Sequence, residues 1–123
     1  MKSILQINAI IELLAGFVLL FNPHLLLNLT NPNIQGIVIA KLYGILAFFF
    51  GLVCFILSKH FEYNLLYKQI ILSIIAFHFV VGLHMYGVYN QHVTPHPGAA
   101  ILHVGFALVF MIIYLKNIEK FTL

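Results

Sequence analysis

The chain has 123 residues, of which 63% are hydrophobic and only 7% are charged, with six Lys, three Glu and no Arg or Asp. An ordinary soluble domain has roughly 25% charged residues, so this composition excludes a soluble domain, a nucleic-acid-binding protein and a disordered chain. It predicts a small all-α integral membrane protein whose first partner is the lipid bilayer.

Four apolar segments are long enough to cross a bilayer as helices, which takes about 20 residues each. In chain order, the predicted spans are about Ile4–Phe21, Gly36–Leu57, Gln69–Tyr89 and Ala99–Leu115. Asn22-Pro23 should end the first span, because proline lacks an amide proton and disfavours helix in the residue before it. Asn31-Pro32-Asn33 is predicted to turn the chain toward the second span. Because there is no repeat and no linker, we predict one domain over residues 1–123, a four-helix bundle in up-down-up-down order.

The lysines predict how this bundle is oriented. The N-terminus, the second connection and the C-terminus contain lysines, whereas the first and third connections contain none (Lys2, Lys59, Lys68, Lys116 and Lys120). Because positive residues stay on the cytoplasmic side, both termini are predicted to be cytoplasmic. The predicted location is the inner (plasma) membrane, which the chain crosses several times.

Two polar residues are expected near the middle of the bilayer. At about 1.5 Å of rise per residue, Glu12 and His78 lie about 15 Å from the outer ends of their spans. Asn8, Glu12 and Gly16 recur at every fourth position, so they share one helix face, which we expect to turn inward. A carboxyl group at this depth usually marks function. The alternative is that Glu12 only forms a hydrogen bond between packed helices.

A second polar layer is predicted about five residues, or 7–8 Å, from the outer ends, at Lys41, His84 and His103. The connection between the last two spans is short, which makes them antiparallel neighbours and selects His84 and His103 as a level-matched pair. Lys41 either turns inward on the same face as Gly44 and Gly51 or extends its long stem to the membrane interface. The predicted ligand pocket opens outward and is formed by Glu12, Lys41, Tyr43, His78, His84 and His103.

Four of the seven histidines fall close together in sequence: His84, His92, His96 and His103. Imidazole binds metal ions and haem iron, so His84 and His103 are candidate metal or axial haem ligands, with His92 and His96 as further candidates. The spacing matches no zinc signature, and a buried histidine is more often hydrogen-bonded within the protein. The cofactor is left open, with haem or a metal ion as the candidates.

The first half of the chain resembles a known family. Leu20-Phe21-Asn22-Pro23 follows the first span, and Lys41-Leu42-Tyr43-Gly44 opens a second span that has glycine again at Gly51. In a chain of this size with four spans, these features resemble the small bacterial four-helix membrane proteins of the DoxX-like type. The resemblance implies a membrane bundle and, as in some DoxX-like proteins, a link to quinone-dependent oxidation of thiols or thiosulfate. It implies no catalytic residue in this chain.

Three functions are compatible with these features. The first is binding or movement of a small or lipid-like ligand in the outward-opening pocket, with anionic groups favoured by its cationic mouth and with a homo-oligomer as the working form. The second is a membrane redox subunit that holds haem or a quinone. The third is an accessory subunit that packs against a larger membrane complex through glycine-spaced faces, at Gly44 and Gly51 and at Gly98 and Gly105. The sequence does not decide whether the protein is an enzyme.

Overall fold

The computed structural model describes residues 1–27 and 34–121, and every regular element in these two ranges is helical. The prediction of an all-α protein is therefore confirmed. The predicted turn at Asn31-Pro32-Asn33 lies outside the described residues. The elements are α1 (Lys2–Phe21), α2 (Pro23–Leu27), α3 (Ile34–Lys59), α4 (Leu65–Asn90), α5 (Gly98–Lys116) and a short 3-10 helix (Ile118–Phe121).

The four long helices α1, α3, α4 and α5 are each long and apolar enough to cross a membrane, as in a multi-pass membrane protein. Each contains one of the predicted spans and extends beyond it by a few residues. Both α3 and α4 have 26 residues. A helix of that length measures about 39 Å, which exceeds the hydrocarbon thickness of about 30 Å, so each is long enough to reach the polar interface on both sides.

Polar residues set the helix boundaries. The first helix ends at Phe21, as the Asn22-Pro23 pair predicted, and Pro23 becomes the first residue of α2, where a missing amide proton costs nothing. At the start of α4, the side chain of Asn64 accepts a hydrogen bond of 2.9 Å from the backbone N–H of Tyr67. This bond satisfies one of the amide groups that every helix leaves unpaired at its first turn.

The described residues cluster into two compact units, and the first is the N-terminal hairpin (Lys2–His60), in which α1 packs along α3. Glycines allow the two backbones to approach closely. A Cβ atom added at Gly44 would lie 2.9 Å from the backbone nitrogen of Leu20, and one at Gly51 would lie 2.8 Å from that of Leu13. The predicted packing face at Gly44 and Gly51 is thus a contact between α3 and α1.

The second unit is the C-terminal hairpin (Phe61–Leu123, with Met1), in which α4 packs along α5. Here Gly82 provides the close approach, since an added Cβ would lie 2.7 Å from a methyl carbon of Val104. Gly98 and Gly105 make no such close helix contact within the described part of the hairpin, so packing of this face against a partner stays a prediction. An added Cβ at Gly105 meets no atom of the described residues within 4 Å, and one at Gly98 meets only the ring of His96.

An aromatic cluster closes the end of the C-terminal hairpin near the chain terminus. Phe61, Tyr67, Tyr114 and Phe121 are buried and contact one another through ring edges and tilted faces. These contacts hold the 3-10 helix against the ends of α4 and α5. That the two hairpins form one domain in up-down-up-down order stays a prediction.

Candidate functional site: a histidine pair within the C-terminal hairpin

Two of the predicted site residues meet inside the C-terminal hairpin. Nδ1 of His78, on α4, lies 2.9 Å from Nδ1 of His103, on α5. The side chain of His78 is completely buried, at 0% exposure, and that of His103 is half-buried. Both histidines lie within helices long and apolar enough to span a membrane, so this is a polar contact between two largely apolar helices.

Aromatic rings fix the orientation of the two imidazoles. The ring of His78 stacks on Phe106, with centroids 5.3 Å apart, and on Phe110, with centroids 6.0 Å apart. Phe77 meets both imidazoles edge-on, at 5.3 Å from His78 and 6.3 Å from His103. Because these rings restrict rotation of both imidazoles, the two Nδ1 atoms are held toward each other.

The Nδ1–Nδ1 contact requires different tautomers of the two histidines. A neutral imidazole has one N–H donor and one acceptor nitrogen, so a hydrogen bond forms when one ring has its proton on Nδ1 and the other has its proton on Nε2. Two rings protonated on Nδ1 would place two donors 2.9 Å apart. The pair can therefore donate and accept hydrogen bonds, or present nitrogen lone pairs to a metal ion.

The structure shows a contact of His103 with His78, whereas counting residues from the connection selected His84. The count assumed that α4 ends and α5 begins at the same level. In the structure Gly82 lies opposite Val104 and Ala100, so the start of α5 is level with the last turns of α4 rather than with its end. This register brings His103 about one turn closer to His78 than the count implied.

Three residues predicted to line the mouth of a pocket lie on exposed faces. Lys41 and Tyr43 are exposed on α3, and His84 is exposed on α4. Lys41 is exposed even though Gly44, one turn further along α3, is buried, which is compatible with the second alternative, in which the stem extends to the membrane interface. Their participation in a ligand pocket stays a prediction.

His92 and His96 lie in the connection between α4 and α5, and both are exposed. His92 has a φ of 57°, in the left-handed region. Its N–H donates to the carbonyl of Tyr89 at 2.9 Å, and the N–H of Val93 donates to that of Val88 at 3.2 Å. These two bonds form a Schellman motif, so the position of His92 is explained by the end of a helix.

The other histidines predicted to bind metal do not gather with further potential metal ligands. Within the part of the chain that the structure describes, His84, His92 and His96 belong to no group of three or more His, Cys, Asp or Glu side chains close enough to share an ion. Two-ligand combinations of these residues stay predictions.

In the N-terminal hairpin, Asn8, Glu12 and Gly16 are all buried, as their four-residue spacing predicted. Glu12 is only 5% exposed. The amide nitrogen of Asn8 donates to the sulfur of Cys54 on α3 at 3.4 Å, while the amide oxygen of Asn8 has no hydrogen-bond partner among the described residues. The contact with Cys54 was not predicted from the sequence.

A heptad-like pattern would have identified the histidine pair. On α4 the buried residues Ile71, Ile74, His78 and Gly82 follow spacings of three and four, and on α5 Ala100, His103, Ala107, Phe110 and Tyr114 do the same. Such spacing marks the facing sides of two antiparallel helices. His78 lies on the α4 stripe and His84 lies off it, so this spacing, unlike depth alone, selects His78 as the neighbour of His103.

No family model, curated protein or solved structure matches this chain. The resemblance to DoxX-like proteins therefore stays a prediction from the sequence.

Proposed function

We propose that this protein binds a small ligand inside a membrane, with His78 and His103 as the groups that recognise it. The observation that carries the proposal is the 2.9 Å contact between their Nδ1 atoms, beside the rings of Phe77, Phe106 and Phe110. Ionisable residues within membrane spans are rare because their burial costs free energy, and they usually mark the path or site of a ligand, an ion or a proton. Two such residues on facing helices form one recognition site.

The membrane setting is part of the same proposal. The protein is a four-helix bundle of the inner (plasma) membrane in up-down-up-down order, with both termini in the cytoplasm. The support is the placement of Lys2, Lys59, Lys68, Lys116 and Lys120 on one side of this arrangement. Exposed polar groups on spanning helices, at Lys41 and His84, favour a homo-oligomer or a partner within a membrane complex. An outward opening with Lys41, Tyr43 and His84 at its mouth would favour an anionic or lipid-like ligand.

A haem iron does not fit between the two facing Nδ1 atoms. Two axial bonds of about 2 Å on opposite sides of an iron would separate the ligand nitrogens by about 4 Å. The observed separation is 2.9 Å. The redox alternative, with haem at His84 and His103 or with a quinone, stays a prediction from the sequence, as does the DoxX-like relationship that suggested it.

The test is native mass spectrometry of the protein purified in a mild detergent, without denaturation. We expect a retained small-molecule adduct on the wild type that is lost in His78→Gln and in His103→Gln. His96→Gln is the matched control, because it makes the same change at an exposed position in the connection between α4 and α5. An adduct that persists in all three variants, or no adduct on any protein, would support an accessory packing subunit instead.

A further inference from the structure

We infer that His78 and His103 bind a divalent first-row transition-metal ion, of the copper, nickel or zinc class, through their Nδ1 atoms. This inference rests on the proposed function and names the ligand class for the same site. Imidazole nitrogen is a common ligand of these ions, whereas Mg²⁺ and Ca²⁺ prefer oxygen ligands.

The separation of the two nitrogens fits a shared ion. Two metal–nitrogen bonds of about 2.05 Å that meet at a right angle place the nitrogens about 2.9 Å apart, and a tetrahedral angle places them about 3.4 Å apart. The observed Nδ1–Nδ1 distance is 2.9 Å. The two nitrogens thus have the spacing of adjacent ligands in a square-planar or octahedral site, and a tetrahedral site requires an opening of only about 0.5 Å.

Metal binding changes the tautomer of one histidine and releases no proton. In the hydrogen-bonded pair, one imidazole has its proton on Nδ1 and the other has its proton on Nε2. To bind an ion through both Nδ1 atoms, the first imidazole moves its proton from Nδ1 to its own Nε2. One N–H···N hydrogen bond is then replaced by two metal–nitrogen bonds, and both rings stay neutral.

The surrounding residues prepare the histidines for this role. The stacking of His78 on Phe106 and Phe110 and the edge contacts of Phe77 restrict the rotation that free ligands would lose on binding. Two neutral imidazoles leave the ion with its full charge, so its open coordination positions will take water or an anionic group. The site therefore differs from a closed structural zinc site, in which the protein supplies all four ligands.

The test uses Cu²⁺ and the full chain in detergent, with any purification tag that contains histidines removed. Equilibrium titration measures the affinity, and electron paramagnetic resonance counts the nitrogens that couple to the copper. We expect one Cu²⁺ per chain with two coupled nitrogens. Loss of a residue that only hydrogen-bonds to a metal ligand already weakens metal binding about 10–100-fold. Because His78→Gln and His103→Gln each remove a ligand itself, we expect at least about a 100-fold loss of copper affinity in each.

One control separates this site from the other histidines. The double variant His92→Gln/His96→Gln, which changes two exposed histidines of the connection between α4 and α5, should keep the wild-type affinity and the two-nitrogen spectrum. Helix content and elution as a single species check that each variant is folded. Wild-type copper affinity in the double variant His78→Gln/His103→Gln would overturn the inference. Loss of copper binding in the variant His92→Gln/His96→Gln would overturn it as well.

The failure of this inference can be distinguished from failure of the proposed function. If native mass spectrometry finds an organic adduct that depends on His78 and His103, but Cu²⁺, Ni²⁺ and Zn²⁺ do not bind, the metal inference is wrong and the proposed function stands. If neither an adduct nor a metal ion depends on the two histidines, both are wrong.

Discussion

At the scale of single residues, the helix face on which a polar residue lies decides whether its side chain is buried against the neighbouring helix. His78 takes a position on the α4 stripe that Ile71 and Ile74 also occupy, so it must enter the contact with α5. Asn8 takes the equivalent kind of position on α1. A polar side chain on such a face is forced to find a partner on the neighbouring helix, because an unpaired polar group in an apolar interior costs free energy.

The contact between Asn8 and Cys54 gives a test at this scale. A double-mutant cycle with Asn8→Ala and Cys54→Ala should give a coupling free energy of about 0.6 kcal/mol, and at most about 1.7 kcal/mol, as for other polar contacts between membrane helices. The coupling should be small because sulfur is a weak acceptor at 3.4 Å. Reversible unfolding in mixed micelles measures it. A matched cycle with Asn8→Ala and the exposed Val53→Ala should show none, and equal coupling in both cycles would contradict the contact.

At the scale of the helical elements, glycines decide which helices approach closely. Gly16 faces α3 so closely that an added Cβ would lie 2.5 Å from the backbone nitrogen of Phe48. Backbone atoms cannot move aside as the end of a flexible side chain can. The contact between α1 and α3 therefore depends on glycine at this position.

A series of glycine-to-alanine variants tests this dependence. Gly16→Ala and Gly44→Ala should each lower the free energy of unfolding by about 1–3 kcal/mol, the usual cost of overfilling a packed contact. Gly87→Ala and Gly105→Ala are the matched controls, because an added Cβ there meets no atom of the described residues within 4 Å. These controls should be neutral or more stable by up to about 1 kcal/mol, since alanine favours helix. Similar losses at all four positions would show that helix contact is not the cause.

The end of α4 gives a second prediction at the element scale. His92 has a φ of 57°, a conformation that costs non-glycine residues about 1–2 kcal/mol. Glycine removes this strain but gives the unfolded chain more freedom, which costs about 0.5–1 kcal/mol. We therefore expect His92→Gly to raise the free energy of unfolding by roughly 0.5–1 kcal/mol, and His92→Ala to leave it nearly unchanged. Thermal unfolding of the two variants measures the difference, and a glycine variant less stable than the alanine variant would contradict the capping role.

At the scale of the whole molecule, the lysine distribution makes a testable statement about topology. We expect both termini and the connection 60–64 to be cytoplasmic and the connection 91–97 to be outside. In a Cys54→Ala background, Thr94→Cys should react with a membrane-impermeant thiol reagent on intact cells. Glu62→Cys should react only after the membrane is opened. Labelling of Glu62→Cys alone on intact cells would reverse the orientation, and labelling of both would contradict the four-span order.

The sequence by itself determined the all-α class, the four apolar helices and most of their boundaries. These features depend on hydropathy, segment length and the positions of proline, which act locally and can be recognised from the sequence without the tertiary structure. It also determined that Asn8, Glu12 and Gly16 are buried together, because the four-residue spacing of a helix does not depend on its neighbours.

Only the tertiary structure decided which side chains meet between helices. The sequence located His78 and His103 as polar residues inside spans but not as a pair, because the pairing depends on how far α5 is shifted along α4. That shift depends on the close approach at Gly82 and on the Schellman turn at His92, where the chain leaves α4. The first is a contact between residues distant in sequence, and the second is an unusual backbone conformation. Counting residues along each helix separately predicts neither of them.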